Sequence, residues 1–148
     1  PLHLAADPIM LSKPELEWET RGFLVNEGPA VLVRHGRIWM TYSASATDEN
    51  YCMGLLHADE DADITDPAVW IKSPEPVFQT SREEGIFGPG HNSFTISEEG
   101  DDLLVYHART YTDIQGDPLW DPNRHTFVKK FYWDDAGNPV FGSPAVQE

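Results

Sequence analysis

The sequence contains a repeat of sixty residues, and this repeat restricts the possible folds more than any other feature. Gly28-Pro29 precedes one series of β-type segments, and Gly88-Pro89 precedes a second series. Each series has a strand, a Gly-containing hairpin, a second strand ("MTYSAS" or "LVYHAR"), a third strand and a piece rich in Pro and aromatics. Repeats of about this length, with four short strands each, are typical of β-propeller blades.

The segments within the repeat are rich in β-branched and aromatic residues and are bounded by Gly, Pro, Asn or Asp. "RHGR" and "SEEGDD" are typical of tight hairpin connections. "ADEDADITDPAVW" predicts a short helical turn at most. The sequence therefore predicts an all-β fold with strands at "AVLVR" (30–34), "RIWMTYSAS" (37–45), "NYCMGLLHA" (50–58), "NSFTIS" (92–97), "DLLVYHART" (102–110) and "HTFVKKFYW" (125–133).

Counting the repeats predicts an incomplete ring. Residues 28–87 form one blade, residues 88–148 form another, and residues 1–27 supply a trailing strand of a preceding blade, because "SKPELEW" resembles the last piece of a unit. A propeller needs about four blades or more to close. We therefore expect missing blades from another chain or from a self-oligomer. A complete two-sheet sandwich with accidental similarity remains the alternative.

Charge limits the partners of such a fold. The chain has 25 acidic and 10 basic residues, a formal net charge of -15, which disfavours nucleic acid and anionic membrane surfaces. We expect no membrane span, because no run of 18 apolar residues occurs. Neutral ligands such as sugars remain open.

The chain starts at Pro1 without a signal-peptide pattern, so we expect a processed or trimmed polypeptide whose location, cytoplasmic or secreted, is open.

Glu27 is an unusual acid for this chain. Most carboxylates lie in hydrophilic loops, whereas Glu27 stands between Asn26 and the predicted Gly28-Pro29 turn, with apolar sequence on both sides. Two interpretations are open from the residues alone. Glu27 is either a turn carboxylate that caps backbone amides or a chemical group directed at a ligand.

Five segments in the same order give the chain a family resemblance. "NEGPAVLVRHGRIWMTYSAS", "NYCMGLLHADEDADITDPAVWIKSPEPVF", "GPGHNSF", "VYHAR" and "GDPLWDPNRHTFV" resemble the C-terminal portion of glycoside hydrolase family 43, nearest to its α-L-arabinofuranosidases, over residues 9–145. The resemblance implies about two four-stranded blades plus a leftover strand of a five-bladed β-propeller. It also implies inverting hydrolysis of arabinose- or xylose-containing glycans, with arabinoside or xyloside and exo or endo cleavage left open.

The resemblance implies a role for Glu27 and a gap elsewhere. Family members use an Asp as general base, a second Asp that orients the acid, and a Glu in the "NEGP"-like motif as general acid, which corresponds to Glu27. Inverting hydrolysis needs two carboxyls about 6.5–9.5 Å apart. The blades that carry both aspartates would precede Pro1. The chain alone is therefore expected to be inactive unless it is complemented.

The remaining site candidates also depend on the resemblance. His91, in "GPGHNSF", corresponds to a His near Ca²⁺ on the propeller axis, although a channel His bonded to water and backbone is the alternative, since calcium prefers oxygen. Arg124 is a candidate to hold the acid or the sugar, because guanidinium forks bind carboxylates and hydroxyls. His107 is a candidate substrate contact or a packed strand residue. Asn26 and Ser43 are candidate hydroxyl-binding groups.

Three functions stay open at this stage. The first is a portion of an arabinofuranosidase-type hydrolase that carries the acid and lacks the base. The second is a carbohydrate-binding or assembly half-propeller without catalysis of its own. The third is a purely structural product. Trp120 is predicted either to stack on a sugar or to cover its own core, and the other tryptophans are predicted to pack between blades.

Overall fold

The strands follow the predicted repeat. A computed structural model describes residues 7–145 of the chain, and residues 1–6 and 146–148 lie outside it. The short 3-10 turns in this part lie at Glu17–Glu19, Pro67–Val69 and Pro118–Trp120. The strands are β1 (Asn26–Arg34), β2 (Arg37–Ala44), β3 (Cys52–Asp59), β4 (Ile71–Lys72), β5 (Phe87–Ile96), β6 (Asp102–Arg109), β7 (His125–Lys130), β8 (Tyr132–Trp133) and β9 (Pro139–Val140).

The strands form separate antiparallel sheets, one for each predicted blade. The first sheet has the order β1-β2-β3-β4, and the second has the order β5-β6-β7. The predicted strand 125–133 is divided at Phe131, whose ring is buried in the core, so that β8 pairs with β9 as a separate hairpin. The prediction of an all-β, incomplete propeller is confirmed, because these sheets do not close a ring.

The Gly-Pro pairs are bulges rather than turns, which corrects the sequence interpretation. Strand β1 runs through Gly28 with a register shift between Glu27 and Ala30, and β5 runs through Gly88 with a shift between Phe87 and Gly90. Both glycines have positive φ, 56° and 60°. A bulge leaves residues unpaired and redirects side chains near the strand end. The innermost strands therefore begin before their Gly-Pro pairs, and Glu27 becomes part of β1.

The main core lies between the two sheets. Met53 of β3 and the alternating residues Leu104 and Tyr106 of β6 belong to one cluster of almost fully buried side chains. Arg34 on β1 forms an ion pair of 3.1 Å with Asp102 on β6. The two blades are therefore held together by an apolar interior and a polar contact at the ends of the strands.

The N-terminal segment covers part of the other face of the first sheet. Residues 7–25 contain a 3-10 turn and no strand, and Trp18 of this turn is 5% exposed against Tyr42 and Cys52. The trailing strand expected from residues 1–27 stays a prediction, because it would pair with a blade outside this sequence, and its first six residues lie outside the described part.

Burial raises the pKa of Cys52 to about 12, as expected for an unreactive core thiol.

Two of the tryptophans predicted to pack between blades, Trp39 and Trp133, do so, whereas for Trp18 and Trp70, in the cluster on the other face of the first sheet, this stays a prediction. The ring centroids of Trp39 on β2 and Trp133 on β8 are 6.0 Å apart. The 3-10 turn at Pro67–Val69 agrees with the short helical turn expected in that loop. Over residues 7–145, no helix has the length and apolar character needed to cross a bilayer.

Candidate active site

Glu27 lies at the start of β1, where the two innermost strands meet. The hydroxyl of Tyr51 donates a short hydrogen bond to Glu27 Oε1. The Nδ1 atom of His91 on β5 is 3.7 Å from the same oxygen. The Glu27 side chain is 39% exposed, so its carboxyl is held on one side by protein and is open on the other.

The bulges of β1 and β5 fit against each other at this point. His91 has a φ of 47°, which is uncommon for a residue with a side chain. Its ring lies directly over Gly28, where an added Cβ would be 2.9 Å from His91 Nδ1. Gly28 therefore allows the close approach of His91 to β1, and this approach brings the imidazole to Glu27.

Three rings form a stack behind the carboxyl. The Tyr51 and His107 centroids are 5.4 Å apart with an interplanar angle of 9°, and those of His107 and His91 are 6.2 Å apart at 28°. Sequence reasoning missed Tyr51. Its only signal was its place after the polar "TDEN" turn and directly before β3.

Burial keeps two of these rings, Tyr51 and His107, uncharged near neutral pH. Burial, followed by the positive charge of Arg124, lowers the pKa of His107 to about 4. Burial is also the main reason that the pKa of Tyr51 is raised, and the hydrogen bond to Glu27 adds to it. Arg124 acts on both rings, so the structure places its charge near the candidate site.

The two predicted hydroxyl-binding residues make contacts within the protein. The buried Ser43 Oγ accepts the backbone N–H of His91 at 2.7 Å. The Asn26 amide donates to Glu19 Oε1 at 3.1 Å and accepts from Ser12 at 2.7 Å. Ser43 therefore belongs to the group around Glu27, whereas the amide of Asn26 is directed toward the N-terminal segment. Sugar binding by either residue stays a prediction.

A cavity of about 290 Å³ adjoins Glu27. Its walls come from residues 22–25, residues 45–47 and residues 117–119, so both blades contribute to it. Phe23 is 63% exposed and Leu119 is 52% exposed, which gives the cavity an apolar rim. Trp120, beside this rim, is 79% exposed, so it does not cover the core as one interpretation of its loop required.

Arg109 fixes the loop that forms one wall of the cavity. Its guanidinium is 2% exposed and donates to the carbonyls of Pro118 at 2.9 Å and Asp121 at 3.3 Å. It also donates a short hydrogen bond to the carbonyl of Thr47 in the opposite wall. Sequence reasoning did not select this residue, because its partners, the backbone carbonyls and the Asp121 carboxylate at 3.6 Å, lie in loops outside its own strand.

The side chains around His91 do not complete a calcium site by themselves. In the described part of the chain, no three His, Cys, Asp or Glu side chains come together in a way that would hold a metal ion. His91 offers one nitrogen, whereas Ca²⁺ takes six to eight oxygen ligands. An ion at His91 would need water or groups from elsewhere as its other ligands and stays a prediction.

Comparison with known proteins identifies relatives of this chain. Residues 2–139 match the family model "Glycosyl hydrolases family 43". The "Alpha-L-arabinofuranosidase 43" of Humicola insolens is 56% identical over 145 residues, which cover 97% of this chain and 30% of that protein. The "Extracellular exo-alpha-(1->5)-L-arabinofuranosidase" of Streptomyces avermitilis is 55% identical over 147 residues, 99% of this chain and 31% of that protein.

A solved structure extends the likeness to three dimensions. The crystal structure of an α-L-arabinofuranosidase from Lactobacillus brevis superposes with a TM-score of 0.95 and 62% identity, covering 97% of this chain and 44% of that one. The chain therefore spans less than half the length of each of these relatives.

Proposed function

The chain belongs to glycosyl hydrolases family 43, and we propose that it is the C-terminal part of an inverting hydrolase acting on α-L-arabinofuranosides. In this proposal it supplies the general acid, Glu27, and the general base comes from blades outside this sequence. The names of the curated relatives support arabinofuranosides rather than xylosides as substrates.

The observation that carries the proposal is the setting of Glu27. It is held through Oε1 by Tyr51 and faces a cavity through its open side. A general acid must reach the oxygen of the departing group and give it a proton as the glycosidic bond breaks. The electron pair of that bond stays on the leaving oxygen, and water supplies the new bond to the sugar carbon.

The acidic residues that line the cavity indicate where the general base must come from. Asp117 is the other acidic residue that lines it, but its carboxylate accepts the Leu119 N–H at 2.9 Å and so caps the 3-10 turn. An inverting enzyme needs a second carboxylate about 6.5–9.5 Å from the acid, on the opposite face of the sugar. We assign this role to a residue of the missing blades.

The apolar rim of the cavity fits the leaving-group side of the reaction. The acid contacts the glycosidic oxygen, so the space beyond Glu27 receives the group that departs. Phe23 and Leu119 offer apolar surface to the carbon face of a neutral sugar. Arg124, whose charge acts on the rings of Tyr51 and His107, and His107 itself are proposed to contact the sugar that is cleaved.

Substituting the acid in the complete propeller tests the proposal. Glu27→Gln is expected to lower kcat for an arabino-oligosaccharide about 100- to 10,000-fold, because a poor leaving group depends on protonation. The loss is expected to be much smaller for a 4-nitrophenyl α-L-arabinofuranoside. Glu49→Gln, a half-buried acid paired with Arg82 and not in contact with Glu27, is the control. Undiminished hydrolysis of the oligosaccharide by Glu27→Gln would contradict the assignment.

A carbohydrate-binding or assembly half-propeller is the second candidate. The observation that favours it is the open pair of sheets, to which only one of the needed carboxylates is assigned. Glycan binding without turnover by the complemented ring would favour this function.

Removal of metal ions with a chelator tests the proposed ion at His91, with the activity and thermal stability of the complete ring as readouts.

A further inference from the structure

The hydroxyl of Tyr51 is the direct partner of Glu27, although the ring is 1% exposed and belongs to the turn before β3. We propose that Tyr51 is a positioning residue that orients Glu27 and supports its negative charge as the proton leaves. The inference rests on the proposed acid role of Glu27. In the described part of the chain, no hydrogen bond reaches Glu27 Oε2, so this oxygen is the one left to carry the proton.

The ring of Tyr51 has little freedom to move. One face lies on His107 at a centroid distance of 5.4 Å. On the β5 side, an added Cβ at Gly90 would be 2.4 Å from the ring atom Cε1 and 2.9 Å from Ser43 Oγ. Gly90, in the bulge of β5, therefore leaves space for the Tyr51 ring. Such a fixed donor holds the carboxyl without reorganising during the reaction.

The protonation state of the phenol suits this role. Burial first, and then the hydrogen bond to Glu27, raise the pKa of Tyr51, so the hydroxyl keeps its proton over the range in which hydrolases work. Before the reaction, Oε1 of the neutral acid accepts the Tyr51 hydroxyl and Oε2 carries the proton. The Oε2 proton then moves to the glycosidic oxygen, the C–O bond breaks, and the Tyr51 proton stays in place.

The hydrogen bond becomes stronger as the reaction proceeds. A bond to an ionised carboxylate is about twice as strong as a bond between neutral groups. Glu27 gains charge while the proton is being transferred, so the contact stabilises the transition state more than the bound substrate. This difference predicts an effect on kcat that grows with the need for acid assistance. A tyrosine that only filled space would give no such dependence.

Tyr51→Phe in the complete propeller removes the hydroxyl and keeps the ring stacked on His107. We expect kcat for an arabino-oligosaccharide to fall about 10- to 100-fold and kcat for a 4-nitrophenyl arabinofuranoside to fall less than about threefold, because protonation matters less there. Both substrates are measured on one preparation, so the ratio of the two rates does not depend on the folded fraction.

Tyr42→Phe is the matched control. Tyr42 is also a buried tyrosine that donates to a carboxylate, Glu19, at 2.8 Å, but this carboxylate belongs to the N-terminal segment. Its substitution is expected to lower stability and to leave the ratio of the two rates unchanged. Equal losses on both substrates for Tyr51→Phe, or no loss on the oligosaccharide, would overturn the inference.

A double substitution separates this inference from the proposed function. In a Glu27→Gln background, adding Tyr51→Phe is expected to change the oligosaccharide rate by less than about twofold, because the two residues act as a unit. A further tenfold loss would show that Tyr51 acts independently of Glu27. Should Glu27→Gln alone give no dependence on the leaving group, the acid assignment itself fails. A normal Glu27→Gln effect with no effect of Tyr51→Phe refutes only the positioning role.

Discussion

Two residues with positive φ determine how closely the His91 imidazole approaches the carboxyl of Glu27. Gly28 and His91 lie in facing bulges, with φ of 56° and 47°. A side chain at Gly28 would meet the imidazole at 2.9 Å, so only glycine allows this approach. Strained conformations of this kind cost about 1–3 kcal/mol and persist where the surroundings enforce them. Here the enforcing contacts include the hydrogen bond from the His91 N–H to Ser43.

The low pKa of His107 predicts a pH dependence of stability. The folded value is about 4, whereas an unfolded His titrates near about 6.5, so the unfolded chain binds more protons between these values. Stability from this residue is complete above about pH 6.5 and is lost as the pH falls toward 4. His107→Phe keeps a flat ring. It is expected to reduce the change in unfolding free energy between pH 6.5 and pH 4 by about 2 kcal/mol, after allowance for solvent screening.

Urea unfolding of the parent and the His107→Phe variant between pH 4 and 7 measures this effect. The difference in unfolding free energy between the two proteins should change across this window and be constant above it. His35→Phe is a control, because His35 lies away from the site, against Trp133. Parallel pH profiles for parent and His107→Phe would show that His107 does not carry the effect.

At the scale of elements, the N-terminal segment is fastened to the first sheet by one buried acid. Glu19 is 0% exposed and accepts hydrogen bonds from Lys72 at 2.9 Å, Tyr42 at 2.8 Å and the Leu16 N–H at 2.9 Å. Burial alone would raise the pKa of Glu19, but the hydrogen bonds of Lys72 and of the backbone lower it overall. Residues 7–25 thus gain a fixed path without forming a strand.

Removing this charge should loosen the segment. Glu19→Gln keeps the shape but leaves Lys72 without its ionised partner, at an expected cost of about 3 kcal/mol in unfolding free energy. Glu17→Gln is a control in the same turn, since Glu17 is 85% exposed and pairs with Arg21. It should change stability by less than about 1 kcal/mol. Equal losses for the two variants, measured by urea unfolding, would contradict the anchoring role.

At the scale of the whole molecule, both ends of the pair of sheets present apolar surface. On β1, Val31 and Val33 are 52% and 42% exposed, on the side away from the second blade. On β7, Val128 is 52% exposed, opposite the buried face of that sheet. Such faces fit the packing of further blades in a ring. They agree with a chain that spans 44% of a solved relative.

The exposed faces predict association of the isolated chain. Sedimentation velocity at micromolar concentration is expected to give dimers or larger species, because apolar sheet faces tend to find partners. The double variant Val31→Glu and Val33→Glu should shift the distribution toward monomer. Ile64→Glu, on a loop residue that is 47% exposed, is the control. A parent chain that stays monomeric at high concentration would contradict this expectation.

The sequence by itself determined the all-β class, the repeat and the family, and it singled out Glu27 as the predicted general acid. These follow from local periodicity and from motifs that remain in order along the chain, such as the two Gly-Pro pairs sixty residues apart. Strand β2, for example, has nearly the predicted bounds, because its alternating residues face two buried surfaces.

Only the tertiary structure decided what surrounds Glu27. Tyr51, Gly90 and Arg109 act through contacts with residues far away in the chain, and such contacts leave no local pattern in the sequence. The Gly-Pro pairs look like turns locally, yet they are bulges because the neighbouring strands continue their pairing on both sides. Pairing between strands is a property of the folded sheet. The orientation of the Glu27 side chain could therefore not be predicted from residues 26–29 alone.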